Sequence, residues 1–268
     1  MRLKIKIHHP KNLYIVLPCH YNELVQGFIY RHLDDYFAKK LHDYGFEDLN
    51  SKRRLKLFTF SRLIPDDKAQ IRDGKIYLYG SINLIVSSPV HEFIQSLALN
   101  LLKSGTIKLD NENLDLLSVE VEGTPIYKEK IYIKTLSPIT VYSTFITMDG
   151  KKKTYYYSPF EKEFEELLIK NLLRKLRIWH GFEMKAKDYF AEIKPFKVRS
   201  KDQKIIMYKN TVIKGWDGIF EMSLHPELFA LAFDAGLGAK NSLGFGCIEV
   251  WEEKGRDKDF KNLYQRMV

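Results

Sequence analysis

Gly236-Leu237-Gly238-Ala239-Lys240-Asn241-Ser242-Leu243-Gly244-Phe245-Gly246 runs directly into the apolar stretch Cys247-Ile248-Glu249-Val250 and follows a helical stretch from Pro226 to Ala235. Two Gly-x-Gly pairs flank a basic, polar centre. Glycine accepts positive φ and close backbone approach, so a loop of this kind can aim amide N–H groups at an anion. Lys240 adds a positive charge, and Asn241 and Ser242 add neutral hydrogen-bonding groups. The order helix, glycine loop, strand is the reverse of a dinucleotide-binding turn, which follows a strand and opens a helix. The Gly-Lys-Ser/Thr ending of a P-loop is missing as well. A nucleotide-cofactor fold is thus disfavoured. Two readings of the loop remain: an anion-binding element, or a glycine-rich turn with no ligand.

Outward from this loop, the chain repeats one order of elements. In the first half, Leu3, Ile5 and Ile7 alternate as a strand. A helix is expected from an Asn22 N-cap to Gly45, with Leu24, Phe28, Leu33, Phe37 and Leu41 as its apolar stripe. Strands follow at Lys56–Ser61 and Lys75–Val86, then a helix from Ser88-Pro89 to about Ser104-Gly105, then a strand from Leu114 to Val121. The second half opens with Ile131-Tyr132-Ile133 and a hairpin around Asp149-Gly150. Ser158-Pro159-Phe160-Glu161 has the ends of a capping box, and Phe160, Phe164, Leu167, Leu168, Leu172, Leu176 and Trp179 form one apolar face. Strands near Phe190–Val198, Ile205–Tyr208 and Gly218–Leu224 lead to the last helix. Strand–helix–strand–strand–helix–strand, twice over, predicts an α+β chain of tandem ferredoxin-like (RRM-like) domains, each a four-stranded antiparallel sheet with two helices on one face. The expected domains are 1–123 and 124–252, with a charged tail at 253–268.

The 268 residues suit two domains, and 45% hydrophobic content fills two cores. No apolar run is long enough for a membrane span. Cys19 and Cys247 are too few for a disulfide framework, so a reducing cytoplasm is expected. Forty-three basic against 34 acidic residues leave a net +9, which favours a polyanionic partner. With no basic amphipathic helix of the membrane-surface kind, nucleic acid is preferred over a membrane. Basic residues cluster at Lys52-Arg53-Arg54 with Lys56, at Lys151-Lys152-Lys153, and along Lys185, Lys187, Lys194, Lys197, Arg199, Lys201 and Lys204.

With this double arrangement and the terminal Gly-x-Gly-x5-Gly-x-Gly, the chain resembles the CRISPR-associated repeat-processing endoribonucleases of the RAMP superfamily. The resemblance runs from Met1 to about Val250. Besides the loop it rests on Gln26-Gly27-Phe28-Ile29-Tyr30, Leu41-His42-Asp43, Lys56-Leu57-Phe58-Thr59-Phe60-Ser61 and Leu136-Ser137-Pro138-Ile139, in the family's order. It implies cleavage of CRISPR precursor RNA once within each repeat, without a metal ion or cofactor, leaving a 2′,3′-cyclic phosphate (or its opened form) and a 5′-hydroxyl. The family's catalytic tyrosine, histidine and lysine fall on Tyr30, His42 and Lys56. The expected RNA contacts are Gly236, Gly238, Lys240, Asn241, Ser242, Gly244, Gly246, Arg53, Arg54, Lys194 and Arg199. The partner is repeat RNA, with a CRISPR effector complex and a homodimer as further candidate assemblies.

Those residue types suit the chemistry in their own right. When a ribose 2′-OH attacks the adjacent phosphate and the 5′-oxygen leaves, one group accepts a proton and another donates one. Histidine fills either role near neutral pH. A lysine cation stabilises charge growing on the phosphate oxygens. Tyrosine can orient or deprotonate the 2′-OH, though a phenol of pKa about 10 is a poor base. The bland alternatives are a helix-terminal His42, a core-rim Tyr30 and a solvated Lys56, with His32 as the reserve histidine. No histidine pair has metal-ligand spacing. One geometric conflict stands out: on a single straight helix, the twelve positions from Tyr30 to His42 span about 18 Å. Either that helix breaks near Asp34-Asp35, or only one of the two residues works. The second case favours a protein that grips repeat RNA without cutting it.

Overall fold

The computed structural model describes residues 1–48, 54–181 and 189–252, and at position 42 the backbone alone. Arg53 and the 253–268 tail therefore lie outside the described residues. The chain is a mixed α/β protein with antiparallel sheets. Five α-helices are described: α1 (Asn22–Arg31), α2 (Asp35–Asp43), α3 (His91–Ser104), α4 (Lys162–His180) and α5 (Pro226–Ala235).

The N-terminal sheet is ordered Thr106–Leu109, Glu112–Glu122, Arg2–His8, Ile82–Ser87, Thr59–Phe60, with Ile64–Pro65 also on Ile82–Ser87. Its first strand alternates as expected, with Leu3, Ile5 and Ile7 buried. The sheet is wider than the four strands expected, because Thr106–Leu109 hairpins back onto Glu112–Glu122 and Ile64–Pro65 adds a short pairing. The expected run Lys75–Val86 divides at Gly80, whose φ of 76° turns the chain. Lys75–Tyr79 joins Tyr14–Pro18 and Ala69–Arg72 in a separate three-stranded sheet, and Ile82–Ser87 enters the main one.

The C-terminal sheet has four strands, ordered Ala191–Lys197, Ile219–Leu224, Ile131–Thr135, Ile248–Val250. Two hairpins stand apart from it: Tyr142–Ile146 with Lys152–Tyr156, and Gln203–Tyr208 with Thr211–Trp216. The expected strand at Ile205–Tyr208 thus belongs to an accessory hairpin. On α4 the buried face is Phe164, Leu168, Leu172, Lys175, Leu176 and Ile178. Phe160 is exposed, since it lies in the Ser158–Glu161 turn that closes on itself before the helix begins, and Trp179 is exposed in the helix's last turn.

One apolar core joins residues of both halves, among them Phe28, Phe58 and Leu97 with Leu172, Phe229 and Leu237. Polar ties cross the same seam. Arg2 donates to the carbonyl of Ile248 at 2.6 Å, and Ser87 to that of Phe233 at 3.1 Å. Arg177 of α4 makes two hydrogen bonds, at 2.6 and 3.1 Å, to the buried carboxylate of Asp48.

Candidate active site

The helix expected over Asn22–Gly45 is two helices. α1 ends at Arg31, and Asp34 starts α2 by accepting the Phe37 N–H at 2.8 Å. The straight-helix separation of Tyr30 and His42 therefore does not arise. His32 sits in the break, buried, with Nδ1 at 2.9 Å from the Phe28 carbonyl and its ring against that of Phe28. It finishes α1 and is not a solvent-facing base. Asn22 is not an N-cap, because its amide donates to the carbonyls of Leu243 and Gly244 instead.

Tyr30 and Lys56 come together. The Lys56 ammonium lies 5.2 Å from the centre of the Tyr30 ring, and Phe58 packs edge-on to that ring at 6.0 Å. Burial, reinforced by Tyr208, pushes the Tyr30 phenol well above its ordinary pKa. Burial also lowers the pKa of Lys56; nearby Lys209 pushes the same way, and Asp43 opposes it. Asp43 is the residue after His42, so the end of α2 approaches Lys56 even though the His42 side chain lies outside the described residues. Between Lys56 and buried Phe58, Leu57 holds a left-handed φ of 46°, a strained state for a bulky residue. Its carbonyl accepts from Ser88 at 2.7 Å.

The glycine loop closes this site from the C-terminal half. It is a packed element, and most of its amides are engaged: Leu237, Ala239, Leu243, Gly244, Phe245 and Gly246 each donate to a backbone carbonyl. The Asn241 side chain is buried inside it, donating to the carbonyls of Leu237 at 2.9 Å and Phe245 at 3.0 Å. Among the described residues, the amides of Lys240, Asn241 and Ser242 have no such partner. The glycines are required by space as much as by φ. A Cβ on Gly246 would lie 1.9 Å from the Leu237 carbonyl oxygen, and one on Gly244 would lie 2.5 Å from the Phe60 ring. Gly236 and Gly238 are similarly enclosed, against Thr59 and Thr140. Lys240 rests 4.9 Å from the centre of the Tyr142 ring, and burial lowers its pKa.

With Asn22, Gln26 binds the loop to Tyr30's helix. The amide of Gln26, one turn before Tyr30, donates to the Ser242 carbonyl, and its oxygen accepts from the Tyr208 hydroxyl. Tyr208, whose pKa burial and then Glu23 push up to about 12, stands just before the Lys209-Asn210 turn of the accessory hairpin. Lys209 and Asn210 both have positive φ, the geometry of a tight two-residue hairpin turn. This hairpin tip delivers Tyr208 and Lys209 across the seam to Tyr30 and Lys56. Neither residue was expected. Gln26 was visible only as part of a family string.

The remaining predicted contacts have local partners. Arg54 donates to the Asp43 carbonyl at 3.1 Å, finishing α2, and pairs with Glu47 at 3.3 Å. Lys194 pairs with Glu192 on its own strand. Arg199 pairs with Asp202 at 3.2 Å. Both are thus engaged by carboxylates of their own segments, and among the described residues no group of three or more His, Cys, Asp or Glu gathers as a metal site.

The site is thus a lysine–tyrosine pair beside the strained Leu57, at a seam between two α/β halves tied together by a packed glycine loop. A family model described as CRISPR associated protein Cas6, C-terminal, matches residues 119–250, and one described as CRISPR-associated protein Cas6, N-terminal, matches residues 16–120. The chain belongs to the Cas6 family. It is 28% identical over 265 residues to CRISPR-associated endoribonuclease Cas6 1 of Methanocaldococcus jannaschii, covering 95% of each chain. It is also 28% identical to CRISPR-associated endoribonuclease Cas6 of Pyrococcus furiosus, over 87% of this chain and 83% of that one. A solved structure described as CRISPR associated protein Cas6 superposes with a TM-score of 0.75 at 26% identity, covering 94% of this chain and 99% of the other. The product of a Cas6-related gene from Pyrococcus furiosus superposes with a TM-score of 0.80 at 25% identity, over 95% and 99%.

Proposed function

We propose that this protein is an endoribonuclease that cuts CRISPR precursor RNA within each repeat, yielding guide RNAs for a CRISPR effector complex in the cytoplasm. The observation that carries this reading is the meeting of Tyr30, Lys56 and the end of α2 beside the glycine loop. The two relatives named as endoribonucleases support it. We read residues 1–123 and 124–252 as tandem ferredoxin-like lobes, because both sheets place the strands of a split βαβ unit in the same order.

The reaction needs no metal. The 2′-oxygen forms a bond to phosphorus as the bond from phosphorus to the 5′-oxygen breaks. One proton leaves the 2′-OH and one reaches the 5′-oxygen, giving the cyclic phosphate and 5′-hydroxyl. His42, on the last turn of α2, moves a proton. Lys56 stabilises the charge on the phosphate oxygens. With its pKa raised, the Tyr30 phenol stays protonated and orients the 2′-OH as a hydrogen-bond donor. The free amides at Lys240–Ser242 and the Lys240 side chain hold the strand.

Incubating the protein with cognate repeat RNA in EDTA tests this directly. Cutting is expected to persist in chelator, to disappear in His42→Ala, and to disappear with a 2′-deoxy nucleotide at the scission point while binding remains. Loss of cutting in chelator, or full activity of His42→Ala, overturns the mechanism.

A further inference from the structure

Lys175 interrupts the apolar face of α4. It is 2% exposed, between Leu172 and Leu176 on the buried side. Its ammonium donates to the carbonyls of Gly236 at 2.6 Å and Gly238 at 3.0 Å, and lies 3.5 Å from that of Ala235. Among the described residues no carboxylate pairs with it. An ammonium has three donors and no acceptor, and three carbonyl oxygens are its complement. These are the oxygens that end α5 and open the glycine loop, where the negative end of the helix dipole adds to the attraction. Burial alone pushes the Lys175 pKa down to about 7, and the three carbonyls favour keeping the proton.

The loop's other ties are neutral: Asn241 from within, and Asn22, Gln26 and Thr59 from the N-terminal half. They hold the carbonyls of Leu237, Ser242, Leu243, Gly244 and Phe245. None of them reaches Gly236 or Gly238. Those two glycines have φ of 77° and 68°, and their carbonyls converge on one point where, among the described residues, Lys175 supplies the hydrogen-bond donor. Without a cation there, two inward carbonyls would be buried and unpaired, which favours a different loop conformation.

We propose that Lys175 is the positioning residue of the glycine loop: its buried ammonium gathers the carbonyls of Gly236 and Gly238 and thereby sets the turn that presents Lys240–Ser242 to RNA. The proposal rests on the RNA-cleaving reading above. It assigns to α4, a helix remote from the reacting residues in sequence, the conformation of the substrate-gripping loop.

Lys175→Met, which keeps chain length and removes the cation, is compared with the wild type in three measurements. Without RNA, amide exchange at Gly236–Gly246 is expected to quicken about tenfold or more, while the N-terminal sheet is unchanged. The Kd for repeat RNA is expected to rise about tenfold, with the cleavage rate at saturating RNA within about threefold of wild type. Unchanged loop exchange, or an unchanged Kd, overturns the assignment, as does a loss confined to the saturating rate. If the Met variant does not fold, lysine-selective nitrogen NMR of the wild type decides. A slowly exchanging Lys175 ammonium signal that shifts on adding repeat RNA supports the proposal. A neutral amine, or a signal indifferent to RNA, overturns it. A wild type that binds no repeat RNA defeats the cleavage reading and this proposal together, whereas a variant that matches a binding wild type defeats this one alone.

Discussion

At Tyr30, burial and the neighbouring Tyr208 act in one direction: both disfavour the phenolate. A phenol harder to ionise than usual is a worse base and a dependable hydrogen-bond donor. Lys56 is under opposed influences. Burial and Lys209 weaken its hold on the proton, Asp43 strengthens it, and the Tyr30 ring face attracts the cation. On the mechanism proposed above, its cationic form is the one that meets a phosphate carrying extra charge in the transition state. In single-turnover assays with saturating repeat RNA, Lys56→Met is therefore expected to lose about 10²- to 10³-fold in rate. Tyr30→Phe removes one orienting hydrogen bond and is expected to lose about tenfold. A loss in Tyr30→Phe as large as in Lys56→Met would show that the phenol carries a proton or a developing charge. The nearness of Tyr30 to Lys56 was legible because the resemblance rests on short local strings that contain them. Tyr208 was not, because it meets Gln26 across 182 positions of chain. Periodicity reports which face of an element is apolar, and is silent on where a hairpin tip lands.

Among the elements, the break between α1 and α2 matters most, since it removes the 12-residue helical separation of Tyr30 from His42. No proline or glycine stands there; the visible sign was the Asp34-Asp35 pair, a residue type that starts helices better than it continues them. Lys175 left a fainter trace, a charge falling on the apolar stripe of α4. His32 Nδ1–H donates to the Phe28 carbonyl at the break, a bond that favours the charged ring, but burial, the dominant influence, lowers its pKa below the ordinary histidine value. The folded state thus binds the His32 proton less readily than the unfolded chain. Its contribution to stability is complete above the unfolded pKa of about 6.5 and is lost as pH falls from there through the depressed folded value. Urea unfolding of wild type and His32→Gln between pH 5 and 8 checks this. The wild type is expected to lose stability on acidification relative to the variant, by at most about 1.4 kcal/mol per pH unit. Parallel curves would mean that His32 titrates alike folded and unfolded.

For the molecule as a whole, the shared core and the polar ties across the seam make the two halves one folding unit rather than two hinged lobes. The family models divide the chain near residue 120, and the opening strands Arg2–His8 and Ile131–Thr135 on either side of that point were legible from their apolar alternation. The seam was not, because its parts are single residues far apart in sequence. Asp48 is the test of it. Its carboxylate, 1% exposed, faces Arg177 at 2.6 Å and Arg174 at 3.6 Å, both from α4 of the other half. Removing one partner of a buried pair leaves charge uncompensated, at a cost of about 3–5 kcal/mol. Because both arginines keep some access to water, the lower end applies, and Asp48→Ala is expected to destabilise by about 3 kcal/mol. Trp179, Trp216 and Trp251 all lie in the C-terminal half, so their fluorescence reports that half alone. Far-ultraviolet circular dichroism reports both. In urea, the two signals are expected to give coincident single transitions in wild type and in Asp48→Ala, shifted together to lower denaturant. A fluorescence transition that stays in place while the circular dichroism curve splits would show the halves folding independently, and Tyr30, Lys56 and the glycine loop would then lack the common frame that the proposed cleavage requires.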